Sequence, residues 1–421
     1  MKIALVHNHY QLPGGEDVVF RNESELLKRA GHEIVEYRRS NNDVSQFVQI
    51  RQFALAKQTI WASDTRREFR ELLQREKPDV VHIHNTFVRI SPSIYWACRD
   101  ARVPVVQTLH NYRLLCPGAN LFREGKVCEE CMDFGVWRGI LHACYRNSCP
   151  ATAVAAGMLL THRLLGTWSR LIDYYLVPTE FARRKFIAGG LPPEKILVKP
   201  NFVHPDPGQG HGKRHYALFV GRLSPEKGLH TLLSAWACLS SPISLQIIGD
   251  GPLRGELGEY VRQQGLTAVH FHGNSPWNAV MAAMKEARCL ILPSECYEGA
   301  LPLTVVEAFA CGTPVVASRL GAMGDLIADG CTGLQFTPGD AKDLAAKVDY
   351  AWSNPAQLEL MGQQARQEYE ANYTAESSYT VLLETYRQAI DKSTRVSRQT
   401  AVDPLSPAWG TEGESQRSRR I

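Results

Sequence analysis

Seven short apolar runs each border an amphipathic helical stretch, and this alternation limits the fold more than any other feature of the chain. The runs are Ile3–Val6, Val80–Ile83, Val103–Leu109, Ala217–Val220, Leu245–Ile248, Cys289–Leu292 and Pro314–Ala317. Apolar runs of this length between helical periods read as strands. Strands that take turns with helices form parallel sheets, because a parallel neighbour is reached only through a crossover. The pattern recurs in both halves of a 421-residue chain, which is too long for one hydrophobic core of ordinary size. The expected class is α/β, with two Rossmann-like doubly wound domains facing across a cleft and ligands at the C-terminal ends of the strands.

Punctuation in the chain sets the domain limits. Pro, Gly and polar residues displace the apolar pattern between Pro205 and Arg214, so 205–214 reads as the linker between domains at 1–204 and 215–373. A helix at 374–391 is expected to cross back to the first domain, and 392–421, polar and aperiodic, is expected to be disordered.

Composition narrows the function classes. Hydrophobic residues make up 44% and charged residues 21% of the chain, as in a globular protein. The net charge of +4 comes from scattered basic residues rather than a stripe alternating with aromatics, which argues against nucleic acid as a partner. The N-terminus reads as a buried strand rather than a signal peptide, and Ala151–Leu160 is too short to span a bilayer. A cytoplasmic protein is expected, with its eleven cysteines reduced.

The second half carries the densest chemistry. In F-V-G-R-L-S-P-E-K-G, Gly221 ends a strand, Arg222 follows, and Lys227 precedes a helix starting near Gly228. Glycine admits an anion to the backbone, and two cations with a helix N-terminus suit a diphosphate. In P-S-E-C-Y-E-G-A-L-P-L-T-V-V-E-A-F-A-C-G-T-P-V-V-A-S, a strand ends at Pro293 and a loop carries Glu298 and Gly299. The helix that follows begins near Leu303 and Thr304 and carries Glu307. Its first amides can face phosphate while the carboxylate takes sugar hydroxyls. The turn I-I-G-D-G-P, at Ile247–Pro252, reads first as a tight strand-to-helix connection.

These segments resemble glycosyltransferase family 4, retaining enzymes of the GT-B fold that use activated sugars, and the resemblance extends to about Asp391. It implies that Arg222 and Lys227 bind the donor diphosphate, that Glu298 contacts the transferred sugar and that Glu307 contacts the ribose. The family usually places seven residues between its two glutamates, whereas this chain has eight. The extra residue is expected within Ala300–Leu301, and Glu295 is the alternative to Glu298. No D-x-D tripeptide occurs, so no obligatory metal is expected at the diphosphate.

In the first half, L-P-G-G-E-D follows the first strand, and the resemblance implies that Gly14 and Gly15 approach the reacting sugar and phosphate. V-V-Q-T-L-H-N-Y ends a strand at His110, where the family has a histidine that contacts the donor sugar. His84, Asn85, His7 and His9 are alternative cleft residues. The implied activity moves a hexosyl unit from a nucleoside diphosphate sugar to a hydroxyl of a glycan or lipid-linked glycan, in cell-envelope or exopolysaccharide synthesis. A nucleotide-sugar epimerase and a silent sugar-nucleotide-binding subunit are the competing readings.

Two features stand apart from that chemistry. Cys116, Cys128, Cys131 and Cys144, in an insertion at about 116–149, have the spacing C-x11-C-x2-C-x12-C, which suits a structural zinc ion or, alternatively, free thiols or a redox pair. Ala151–Arg170 mixes apolar residues with Arg163, Trp168 and Arg170. It reads as a buried first-domain helix or as a peripheral contact with the inner face of a membrane.

Overall fold

A computed structural model describes residues 1–11, 14–41, 50–210, 215–298 and 301–402, without the side chains of 50–53 and 396–402. Two six-stranded parallel sheets organise it. The first contains β1 (Lys2–His9), β2 (Glu33–Ser40), β3 (Val80–Asn85) and β4 (Val105–Thr108). After a two-stranded hairpin, β5 (Phe122–Arg123) and β6 (Lys126–Val127), it is completed by β7 (Tyr174–Val177) and β8 (Ile196–Val198). The second contains β9 (Tyr216–Val220), β10 (Ser244–Ile248), β11 (Val269–Gly273), β12 (Ala287–Leu292), β13 (Val315–Ser318) and β14 (Gly333–Phe336).

Strand order is β2-β1-β3-β4-β7-β8 in the first sheet and β11-β10-β9-β12-β13-β14 in the second. Chain direction across the sheet therefore reverses between β1 and β3, and again between β9 and β12. Such reversals open a crevice, because the connections leaving the two strands go to opposite faces. Both crevices lie at strand ends that carry sequence-predicted residues. Helices cover both faces, which is why β3 is buried along its whole length.

The last helix, Ala375–Val402, leaves the second domain and packs on the first. Leu382, Tyr386 and Ala389 share a core with Ile3, Leu5, Phe20 and Val106. Full burial of a large apolar side chain contributes roughly 1.5–3 kcal/mol, so this contact ties the chain end to β1 and β4. The helix also continues beyond Asp391 as far as Val402, a correction to the expectation that order is lost at 392. Residues 403–421 lie outside the described residues.

Within 205–210, the chain docks on the second domain. Both oxygens of Asp206 accept from Arg366, at 2.8 and 2.7 Å, and the Gly210 amide donates to the Cys311 carbonyl. Positions 211–214 lie outside the described residues. No described helix is long and apolar enough to cross a membrane. Ala151–Arg170 falls in helices Cys149–Leu164 and Thr167–Arg170; Ala155, Met158 and Leu159 are buried while Leu160, Leu164 and Leu165 are exposed.

Candidate functional site

The second-domain wall of the cleft is built where β9 and β12 diverge. β9 delivers Gly221 and Arg222, and a 3-10 turn at Pro225–Lys227 leads to Gly228. Gly228 has φ +66° and lies against β12's exit, so an added Cβ would come within 1.9 Å of the Pro293 carbonyl oxygen. Only glycine permits that approach, and it brings Lys227 beside the loop after β12. Lys227 Nζ donates to both oxygens of Glu298, each at 2.7 Å. Burial opposes the ammonium charge, but the Glu298 charge and hydrogen bonds outweigh it and raise the Lys227 pKa.

Glu298 is nearly buried, accepts a hydrogen bond from Ser294 Oγ, and has φ +48°, a strained backbone for a residue with a side chain. The alternative, Glu295, is engaged elsewhere, with Thr231 Oγ1 donating to it at 2.7 Å. Gly299 and Ala300 lie outside the described residues, and Leu301 is buried, with its carbonyl accepting from Asn201 Nδ2 at 3.0 Å. The Arg222 side chain is exposed and makes no hydrogen bond or ion pair among the described residues. The wall therefore offers one committed cation and one free one.

The Gly-Asp-Gly-Pro turn is explained by backbone packing. The Gly221 amide donates to the Ile248 carbonyl and the Leu223 amide to the Asp250 carbonyl, each at 3.0 Å. A Cβ on Gly249 would meet the Gly221 carbonyl oxygen at 1.9 Å. The turn thus shapes the cradle from behind.

Helix Leu303–Ala310 points its first turn, with Leu303 and Thr304, into the cleft. Its dipole and free amides favour an anion there. Glu307 is largely buried, its pKa is raised by that burial, and its Oε1 accepts from Trp277 Nε1 at 2.9 Å. Trp277, at the start of its own helix and 39% exposed, was not singled out by sequence reading. Its one signal was a large aromatic directly after Pro276 at a helix start.

The first-domain wall is built where β1 and β3 diverge. Gly14 and Gly15 open helix Gly15–Arg29, and a Cβ on Gly15 would lie 3.9 Å from Leu303 Cδ1, across the cleft. Asp17 caps this loop, accepting from the Gly14 amide at 2.8 Å, and its other oxygen takes His7 Nε2 at 2.9 Å and His9 Nδ1 at 2.7 Å. Burial raises the Asp17 pKa, but the His7, Gly14 and His9 hydrogen bonds prevail and lower it to about 2.

Glu16, another residue sequence reading passed over, lies between Asn85 and Asn111. Its oxygens accept from their side-chain amides at 3.0 and 3.3 Å. Burial, with the neighbouring Asp17 charge, pushes its carboxyl up to about 8. His110 ends the strand region after β4, with Nε2 3.0 Å from His84 Nδ1. Burial, then the positive neighbours, lowers the His110 pKa to about 3.

The cysteine insertion reaches the cleft by an unexpected route. Glu129, between Cys128 and Cys131, forms an ion pair with Lys185 at 2.5 Å and accepts the Tyr297 hydroxyl. Tyr297 stacks near Phe181, ring centres 4.8 Å apart, with the Lys185 ammonium over its face at 5.0 Å. The residue next to Glu298 is thus gripped by the first domain.

The four insertion thiols gather in one place, with Cys131 against Cys116 and Cys144 in electrostatic reach of Cys116 and Cys128. Among the described residues, groups whose ligand atoms lie within 4.8 Å of one another are His7–His9–Asp17 and Glu23–His82–His84. Four thiolates held by zinc stand closer together than that, and the zinc reading of this insertion stays a proposal. Cys116 and Cys131 do pair: the Cys131 thiol donates to Cys116, lowering the Cys116 pKa to about 6.

Known proteins match both halves. The model described as Glycosyltransferase Family 4 matches residues 13–207, and the one described as Glycosyl transferases group 1 matches 206–368. A glycosyltransferase of Methanocaldococcus jannaschii is 26% identical over 197 residues, 47% of this chain and 55% of the relative. A glycogen synthase of Mycobacterium tuberculosis is 32% identical over 41% of this chain and 42% of its own length. The chain thus spans about half or less of these two curated relatives.

A D-inositol 3-phosphate glycosyltransferase of Rhodococcus erythropolis is 31% identical over 329 residues, 75% of this chain and 70% of the relative. Among solved structures, Anabaena HepE in complex with UDP is similar with TM-score 0.66 and 17% identity, covering 92% of this chain and all of that one. Sucrose-phosphate synthase from Thermosynechococcus elongatus reaches TM-score 0.67 at 18% identity, covering 93% and 99%. Matched through both domains, the chain belongs to glycosyltransferase family 4 and has its GT-B fold.

Proposed function

We propose that this transferase moves a hexosyl unit from a nucleoside diphosphate sugar to a hydroxyl acceptor with retention of configuration. The observation that carries this reading is an Arg222 side chain, exposed and without a partner among the described residues, on the connection that also supplies Lys227 of the Lys227–Glu298 pair at the β9/β12 crevice. Anabaena HepE is solved with UDP-glucose, and the donor type is carried over from such relatives.

Gly221, Arg222, Lys227 and the first amides of helix Leu303–Ala310 receive the diphosphate. The departing diphosphate gains negative charge in the transition state, so fixed cations and a helix terminus act where the charge appears. Glu298 contacts the sugar: when Lys227 turns one N–H from it to phosphate, the freed Glu298 oxygen accepts a sugar hydroxyl. Glu307, oriented by Trp277, takes the ribose. Gly299 belongs to the same loop.

His110 meets the donor sugar from the first domain, and the acceptor enters beside Glu16, Asn85 and Asn111. Attack comes from the face the diphosphate leaves, and a leaving phosphate oxygen takes the acceptor proton. A glycan or lipid-linked glycan of the cell envelope or an exopolysaccharide is the proposed acceptor class, used at the inner face of the membrane.

The test screens UDP-, GDP- and ADP-sugars for thermal stabilisation and then assays the best binder with candidate acceptors by mass spectrometry. Nucleoside diphosphate release that rises with acceptor supports transfer. Isomerised donor without acceptor, or no stabilisation by any nucleotide, overturns it.

A further inference from the structure

Behind His110 runs a buried file of polar groups that the transfer chemistry does not itself consume. Lys199, just after β8, donates from Nζ to Glu23 Oε1 at 2.5 Å and to Ser378 Oγ of the last helix at 3.3 Å. Glu23, from helix Gly15–Arg29, turns its other oxygen toward His84 Nε2 at 3.5 Å. These two atoms, Glu23 Oε2 and His84 Nε2, are buried, form no hydrogen bond among the described residues and face each other, with His82 Nδ1 the next neighbour of Glu23 Oε2 at 3.8 Å. His84 Nδ1 then meets His110 Nε2 at 3.0 Å. Glu23 and Lys199 come from segments far apart in sequence, and both are within 2% of full burial.

A cation does not fit this cluster. Glu23, His82 and His84 have ligand atoms within 4.8 Å of one another, but both His82 nitrogens are engaged, with Tyr386 Oη at 2.7 Å and Thr108 Oγ1 at 2.8 Å. The Lys199 ammonium already neutralises the carboxylate. A buried charge pair left for no ligand is costly and calls for a role beyond stability.

We propose that Lys199, Glu23 and His84 are positioning residues that hold His110 in one tautomer, with Nε2 protonated and Nδ1 offered as a lone-pair acceptor. The role rests on the transferase reading in so far as His110 meets the donor sugar. A carboxylate offers only lone pairs, so His84 Nε2, 3.5 Å away, turns its proton rather than a second lone pair toward Glu23. Neutral His84 then has its lone pair on Nδ1, which can only accept, so His110 Nε2 must donate. The nitrogen His110 keeps for a ligand is Nδ1, and it selects a donor sugar that presents a hydroxyl proton there over a deoxy or fluoro sugar.

Charge is not the variable in this file. Burial lowers His82, His84 and His110 well below the ordinary histidine range. His7 and Asp17 from the β1 side, His82 from β3, Lys199 from the end of β8 and Tyr386 from the last helix also surround it. Three neutral imidazoles differ only in where each proton sits, and the carboxylate at one end sets that for the others.

Long-range proton–nitrogen correlation of histidine-15N-labelled protein reads the tautomers directly. The expected wild-type spectrum has His84 and His110 both protonated at Nε2, unchanged from pH 6 to 8. A His110 protonated at Nδ1 overturns the proposal, and this needs no variant. In the doubly neutral variant E23Q/K199M, the glutamine amide can donate to His84 Nε2, so both tautomers should invert. With the preferred donor, kcat should fall on the order of 100-fold, as for a wrongly set catalytic tautomer, while nucleoside diphosphate affinity stays within about twofold. A folded variant with wild-type tautomers and kcat overturns the proposal. If the wild type releases no nucleoside diphosphate from any donor, the transferase reading falls and the wild-type spectrum still decides the tautomer.

Discussion

On the second-domain side of the cleft, Lys227 is kept charged by Glu298 and Arg222 is left free in water. On the first-domain side, burial pushes His7, His84 and His110 toward neutrality and raises Glu16 to about 8. One wall holds fixed cationic charge; the other, apart from the Asp17 carboxylate, holds neutral, directional hydrogen-bonding groups. The difference suits a donor with a permanently anionic diphosphate at one end and an uncharged sugar at the other. Charge draws the diphosphate to the second domain, and directional groups then choose the sugar without competing for phosphate.

Substitutions on the two walls should therefore fail differently. The largest expected effect on nucleotide affinity is on the charged wall: Lys227→Ala loses a charged hydrogen bond of about 2 kcal/mol, or roughly 30-fold in nucleoside diphosphate affinity. Titration calorimetry with UDP, GDP and ADP measures it, and unchanged affinity for the nucleotide that binds wild type would break the contrast. Next is Trp277→Phe, which removes the donor to buried Glu307. Nucleoside diphosphate binding should weaken by about 1 kcal/mol, near fivefold, while binding of inorganic pyrophosphate, which lacks ribose, holds.

A smaller effect is expected where the walls meet. Tyr297→Phe deletes the hydroxyl held by Glu129 but keeps the ring against Phe181, so kcat/KM should fall by about threefold to fivefold with folding intact. A matching loss in Glu129→Gln, without further loss in the double variant, would establish that the cysteine insertion acts on the donor loop through this contact.

The smallest effect is on stability, because Glu16 is partly open to water, which screens it. Its folded pKa lies above its unfolded value, so the folded state binds the extra proton and stability drops as pH rises from about 4.5 to about 8. Glu16→Gln removes that dependence. Thermal midpoints of the variant relative to wild type should rise across this window and level off above it; parallel curves would show that Glu16 ionises normally.

The strands that were legible in sequence are those buried deepest. β1, β3, β4, β9, β10, β12 and β13 all occupy interior places in their sheets and are mostly apolar. β2, β8, β11 and β14 lie at sheet edges, where one flank meets water and polar residues such as Arg38, Arg39, His270 and Gln335 break the pattern. β7 (Tyr174–Val177) was also passed over, although interior.

Local sequence determined the second-domain wall, because Gly221, Arg222 and Lys227 lie within one strand-to-helix connection, and Glu298 and Glu307 within another. Two parallel strands that diverge side by side were enough to bring these connections together. The first-domain wall was decided only by tertiary structure. Lys199, Glu23, His84 and His110 come from four separate segments, and nothing local to any of them marks it as a neighbour of the others. The same holds for Trp277 on Glu307 and for Glu129 on Tyr297. Spacing along the chain constrains what one turn or helix can present; which buried donor meets which acceptor depends on how distant elements pack.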